Sequence, residues 1–131
     1  MKWGRLGPSQ APVVEMAADA ERAGRIRALN DQMRTSGPTV PSHNRWLLTA
    51  GVLARGTELV NEFVAAISAF SEFTKDNDPY GEHDFGSVDL GGERVFWKID
   101  YYDRSLTGGS PDPADQEMTC RVLTIMLASE Y

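Results

Sequence analysis

Residues 85–102, FGSVDLGGERVFWKIDYY, decide the fold. Two runs that alternate apolar and polar residues flank Gly91-Gly92, a pair suited to a two-residue turn in which both residues take positive φ. Counting back from the turn pairs Leu90 with Glu93, Asp89 with Arg94, Val88 with Val95, and Ser87 with Phe96. Next come Gly86 with Trp97, Phe85 with Lys98, Asp84 with Ile99, and His83 with Asp100. One face of this hairpin gathers Val88, Val95, Trp97, Ile99 and Tyr101, and the indole can lie across Gly86, which has no side chain to obstruct it. The other face carries the opposite-charge pair Asp89–Arg94. A slip of one residue would send the apolar set to solvent, so the register is specified.

Upstream of the hairpin, Leu59, Val60, Phe63, Val64, Ile67 and Phe70 recur at helical spacing. They predict a helix capped by Thr57, with Glu58 facing the positive end of its dipole. It must stop by Thr74, because KDNDPYG (75–81) is turn chemistry. The run WLLTAGV (46–52) has the length and flanks of a strand. Residues 13–35 are helical in composition, with Ile26, Leu29 and Met33 as a buried stripe and Gly24 weakening the middle. The prolines and glycine of SGPTVPSH (36–43) impose a loop, and residues 1–12 read as a loose arm. Downstream, LTGGSPDPAD (106–115) is a loop. Ser110 or Asp112 would cap a final helix with Pro113 in its first turn, buried through Met118, Val122, Ile125 and Met126. The expected architecture is α+β: one domain over 13–131, with a small antiparallel sheet of about three strands and helices packed on one face.

A chain of 131 residues suffices to bury a core without disulfides, and 41% hydrophobic with 24% charged residues are globular values. The single cysteine, Cys120, excludes an internal disulfide framework and any multi-cysteine zinc site. No stretch is long and apolar enough for a membrane span, and the first residues lack the apolar centre of a signal peptide, so a cytoplasmic protein is expected. The net charge of −6 argues against binding nucleic acid or anionic membranes directly. That charge is uneven. Residues 1–71 hold eight basic and six acidic side chains, whereas residues 72–117 hold four basic and twelve acidic, a net −8.

The densest polar word, DNDPYGEHD (76–84), begins like a calcium-binding loop but has Tyr80 at its fifth position and Ser87 where the bidentate acid belongs. Glu82, His83 and Asp84 cannot converge on one metal if they are consecutive strand residues. The hairpin register does set His83 opposite Asp100, the carboxylate–imidazole arrangement of a general base. The plainer account is a structural bond closing the open end of the hairpin. No nucleophile stands beside the pair, and no metal or cofactor is expected. Phe96 and Tyr102 fall on the outward face of the aromatic strand, where they form a partner patch or lie beneath the N-terminal helix or Trp3.

The words ALND (28–31), TAGV (49–52), NDPYGEHDFG (77–86), FWKIDYYD (96–103), SPDPAD (110–115) and RVLTIMLASEY (121–131) together resemble the bacterial domain-of-unknown-function family DUF3768. The resemblance runs over about residues 26–131 and leaves 1–25 outside. It implies a small soluble protein often encoded on mobile elements, with no established reaction and no residue roles to carry over. With the charge, it favours a small acidic interaction protein: a mobile-element inhibitor of a host nucleic-acid-targeting defence system, of anti-CRISPR or antirestriction type. Such a protein presents carboxylates where its partner's basic surface expects phosphates. The candidate contacts are Asp76, Asp78, Glu82, Asp84, Asp89, Glu93, Asp103, Asp112 and Asp115, with Phe96 and Tyr102. The alternatives are a small metal-assisted hydrolase using His83 and Asp100 with Glu82 or Asp84, and a host accessory protein that binds one partner through its aromatic strand.

Overall fold

The computed structural model describes residues 10–131, with side chains from Met16 onward. The chain runs α1 (Gln10–Ser36), β1 (Arg45–Leu48), α2 (Ala50–Leu53), α3 (Thr57–Ser68), β2 (Phe85–Leu90), β3 (Glu93–Tyr102) and β4 (Cys120–Leu127), with 3₁₀ turns at Gln116–Met118 and Ala128–Glu130. The fold is α+β. Its sheet has four strands in the order β1-β4-β3-β2, and β1 runs parallel to β4 while the other pairs are antiparallel.

The hairpin forms in the register set by its turn, from Phe85 opposite Lys98 to Leu90 opposite Glu93. Gly91 and Gly92 both take positive φ, 59° and 76°, as a tight hairpin turn requires. The Trp97 indole lies across Gly86 so closely that any side chain at that position would overlap it. Val95, Trp97, Ile99, Leu123, Ile125 and Leu127 form one side of the core, and Met33, Val52, Phe63 and Ile67 from the three helices form the other. Each such burial is worth about 1.5–3 kcal/mol before chain entropy is subtracted.

Several expectations give way. The final helix is a strand: residues 120–127 are buried at every position but Thr124. Apolar residues at nearly every position satisfy helical spacing automatically, but β4 is one of the two inner strands and is buried on both faces. Asp115, not Ser110 or Asp112, caps the short 3₁₀ turn that replaces that helix's start. The run expected as a strand over 46–52 ends at Leu48, because the Thr49 hydroxyl accepts from the Val52 amide and starts α2. The cap position of α3 is Gly56, at φ 95°, and Thr57 is its first helical residue. Helix α1 passes unbroken through Gly24 and starts at Gln10, so residues 10–12 are not arm; residues 1–9, with Trp3, lie outside the described residues.

Candidate functional site

The polar groups that the structure gathers lie between α1 and the segment leading into β2. Helix α1 directs Ile26, Asn30, Met33 and Arg34 inward. Two of those four are polar, and each of the two is tied down. Asn30, fully buried, donates from Nδ2 to the Glu82 carbonyl (2.9 Å) and to the Tyr101 hydroxyl (2.8 Å), while its Oδ1 accepts from Arg121 Nε (2.7 Å). Tyr101 in turn donates to Glu82 Oε1 (2.8 Å). Burial holds the Tyr101 phenol well above its ordinary range, so it stays a donor throughout the physiological range. Arg34 donates from Nη1 to the carbonyls of Ile67 and Phe70 and pairs through Nη2 with Asp31 (3.0 Å), tying α1 to the end of α3.

His83 sits at φ 56°, unusual for a residue with a side chain, and the network holds it there. Its amide and that of Glu82 both donate to Asp78 Oδ1. Its ring stacks on Phe73 at 3.7 Å, Nδ1 donates to Asp31 Oδ1 (2.9 Å), and Nε2 lies 3.6 Å from Asp78 Oδ2. This corrects the proposed His83–Asp100 pair. The strand ladder stops at Phe85, with one further bond from the Ile99 amide to the Asp84 carbonyl, so the register never reaches His83. Asp100 is bonded instead to Lys98 Nζ (2.6 Å). The imidazole has a carboxylate on each side but no nucleophile beside it, and among the described residues no three His, Cys, Asp or Glu converge as metal ligands.

The carboxylates expected to contact a partner divide in two. Most serve locally: Asp89 pairs with Arg94, Glu93 with Arg55 and Asp112 with Arg22, while Asp103 accepts from the Thr107 amide and Asp115 from the Glu117 amide. Asp78 is buried and Glu82 is bonded to Tyr101. Asp84 is the exception. Its carboxyl is raised above its ordinary range, first by burial and then by Glu82, Asp78 and Asp100, so this end of the sheet concentrates negative charge. Asp76 is exposed on the adjoining turn.

On the outward sheet face, Phe96 packs with Phe85 (5.4 Å between centroids) and Tyr131 (5.4 Å), and Tyr131 is 74% exposed. Tyr102 is exposed at the end of the same strand, away from that cluster. The described part of α1 packs on the opposite face, through Met33, and does not cover them. A cleft of about 450 Å³ opens between the C-terminal half of α1, the 37–44 loop and β1, with Arg121 in its wall.

Sequence reasoning missed Asn30, Asp31, Arg34, Tyr101 and Arg121 as members of a site. The available signal was a polar residue at a core position: Asn30 and Arg34 beside Ile26 and Met33 on one helix face, and Arg121 heading an apolar run.

These features define a small α+β domain with a buried Asn–Arg–Tyr–Glu network and an adjoining cleft. The chain belongs to the family described as protein of unknown function (DUF3768), which matches residues 48–130. The ALND word on α1 lies upstream of the matched range. Comparison with curated proteins and with solved structures finds no match. No described helix is long and apolar enough to cross a membrane.

Proposed function

We propose that this protein is a cytoplasmic interaction protein that engages the basic, nucleic-acid-binding surface of a partner protein through the negatively charged end of its sheet. The observation that carries the reading is the gathering of Asp84, Glu82 and Asp78 at one end of the sheet, with Asp76 exposed on the adjoining turn, where the nearby Lys98 is already paired with Asp100. A field of one sign raises the encounter rate with an oppositely charged surface. In its most specific form, the reading is a mobile-element inhibitor of a nucleic-acid-targeting defence system, to which the carboxylates offer a substitute for phosphates. The pairing of Asp89, Glu93 and Asp112 with arginines, the local bonds of Asp103 and Asp115 and the burial of Asp78 narrow the contacts to Asp76, Glu82 and Asp84.

The test is a pull-down from host cells with mass spectrometry, followed by binding measurements on the purified pair. Support is a nucleic-acid-binding partner that nucleic acid displaces, with affinity falling at least tenfold in about 0.5 M salt, where screening reaches only about 4 Å. An Asp76→Asn/Asp84→Asn variant should lose affinity similarly. Binding that is indifferent to salt and to that variant overturns the reading. It favours instead docking on the Phe85–Phe96–Tyr131 cluster, which a Phe96→Ser/Tyr131→Ser variant would abolish.

A further inference from the structure

The charge balance of Arg121 is unusual. The residue is 1% exposed, yet among the described residues it forms no ion pair. Its Nε donates to Asn30 Oδ1, its Nη2 to the Pro113 carbonyl, and its guanidinium lies over the Tyr101 ring at 5.3 Å. All of those partners are neutral. Burial lowers its pKa, partly offset by Tyr101 and Glu82. A buried cation ordinarily has an anionic partner, because neutral dipoles replace its hydration only in part.

One nitrogen remains. Arg121 Nη1 makes no hydrogen bond among the described residues. Arg121 lines the cleft. The cleft, about 450 Å³, is of ligand size. Around Arg121 stand apolar walls from Leu29, Met33 and Trp46 and side-chain amides from Gln32 and Asn44.

We infer that this cleft binds a small organic monocarboxylate, whose carboxylate meets Arg121 Nη1 and whose apolar body rests against Leu29, Met33 and Trp46. The charge count selects that class. Arg121 is the one arginine or lysine in the lining, and Glu117, with its side chain 81% exposed, lies 4.0 Å from Arg104, so a single buried positive charge is left for the ligand and a phosphate dianion would exceed it. The amides of Gln32 and Asn44 suit polar substituents on the ligand. This site is separate from the carboxylate end of the sheet, and either proposal can fail alone.

The experiment titrates the full chain with benzoate, hexanoate and inorganic phosphate, following the Arg121 Nε–H and Trp46 indole resonances by NMR together with the melting temperature. Benzoate or hexanoate should shift both resonances saturably and raise the melting temperature, and phosphate should do neither. Arg121→Met should abolish the response but is expected to weaken the fold. Gln32→Trp, an exposed residue whose enlargement fills the cleft, keeps the test decisive: affinity should fall at least tenfold while the ligand-free melting temperature changes little. Saturable binding of phosphate alone, no response to any of the three probes, or undiminished binding by Gln32→Trp overturns the inference.

Discussion

Replacing Gly86 by alanine adds a single methyl group at the most crowded point of the sheet. The new Cβ would lie 2.7 Å from Cε2 and 2.8 Å from Cζ2 of Trp97, and nearer still to Nε1. The indole has nowhere to move: it is fully buried and meets Phe70 and Phe73 edge-on at 5.6 and 6.2 Å. Overpacking of this kind costs about 1–3 kcal/mol. For a chain of 131 residues, each kcal/mol moves Tm by roughly 3–6 °C, so Gly86→Ala should melt on the order of 5–15 °C lower. Gly108→Ala is the control, because its Cβ meets nothing nearer than Asp103 Oδ2 at 3.7 Å, and its effect should stay within about 0.5 kcal/mol. Urea denaturation followed by circular dichroism and tryptophan fluorescence measures both. Adding Trp97→Phe to Gly86→Ala should recover about 1 kcal/mol relative to additivity, since the smaller ring makes room and the indole N–H has no bond to lose. If Gly86→Ala melts within about 1 °C of the parent, or the double variant is simply additive, the close packing argued for the hairpin is wrong.

Asn30→Ala strips partners from Arg121 Nε, the Glu82 carbonyl and Tyr101 together, and should cost about 3 kcal/mol in urea unfolding; a loss under about 1 kcal/mol would mean that the network carries little stability. Asp31→Asn should shift the His83 ring resonances in NMR spectra while Asp100→Asn leaves them in place, and the reverse pattern would restore the hairpin-end pair. The Asp84 carboxyl is raised, so the folded protein holds more protons than the unfolded chain between the ordinary and the raised value. Its contribution to stability is therefore lost as pH rises through that window. Asp84→Asn should flatten this dependence and should not destabilise the protein at neutral pH. A steeper profile in the variant would show that the sign is wrong.

Features that depend on neighbours along the chain are legible in the residues alone. Gly91-Gly92 fixed the turn, the turn fixed the register, and strand parity placed Val95, Trp97 and Ile99 in the core and Phe96 outside it. The helical stripe of α3 was legible for the same reason: its apolar residues share one face, and Phe63 and Ile67 are buried there. Local reasoning failed where partners are distant. In residues 120–127 almost every position is apolar, so periodicity could not choose between a buried helix and a strand. Pairing with β1 on one side and β3 on the other settled it, by covering both faces and bonding both edges. Extending the hairpin register pairs His83 with Asp100, but the ladder ends at Phe85 and the actual partner, Asp31, comes from a helix 52 residues earlier. The network is of the same kind, since Arg121 and Asn30 are 91 residues apart and each is an unremarkable polar residue in its own segment. Only the packing of α1 against the sheet took them out of water, and it is the loss of water that makes their hydrogen bonds and their charge matter.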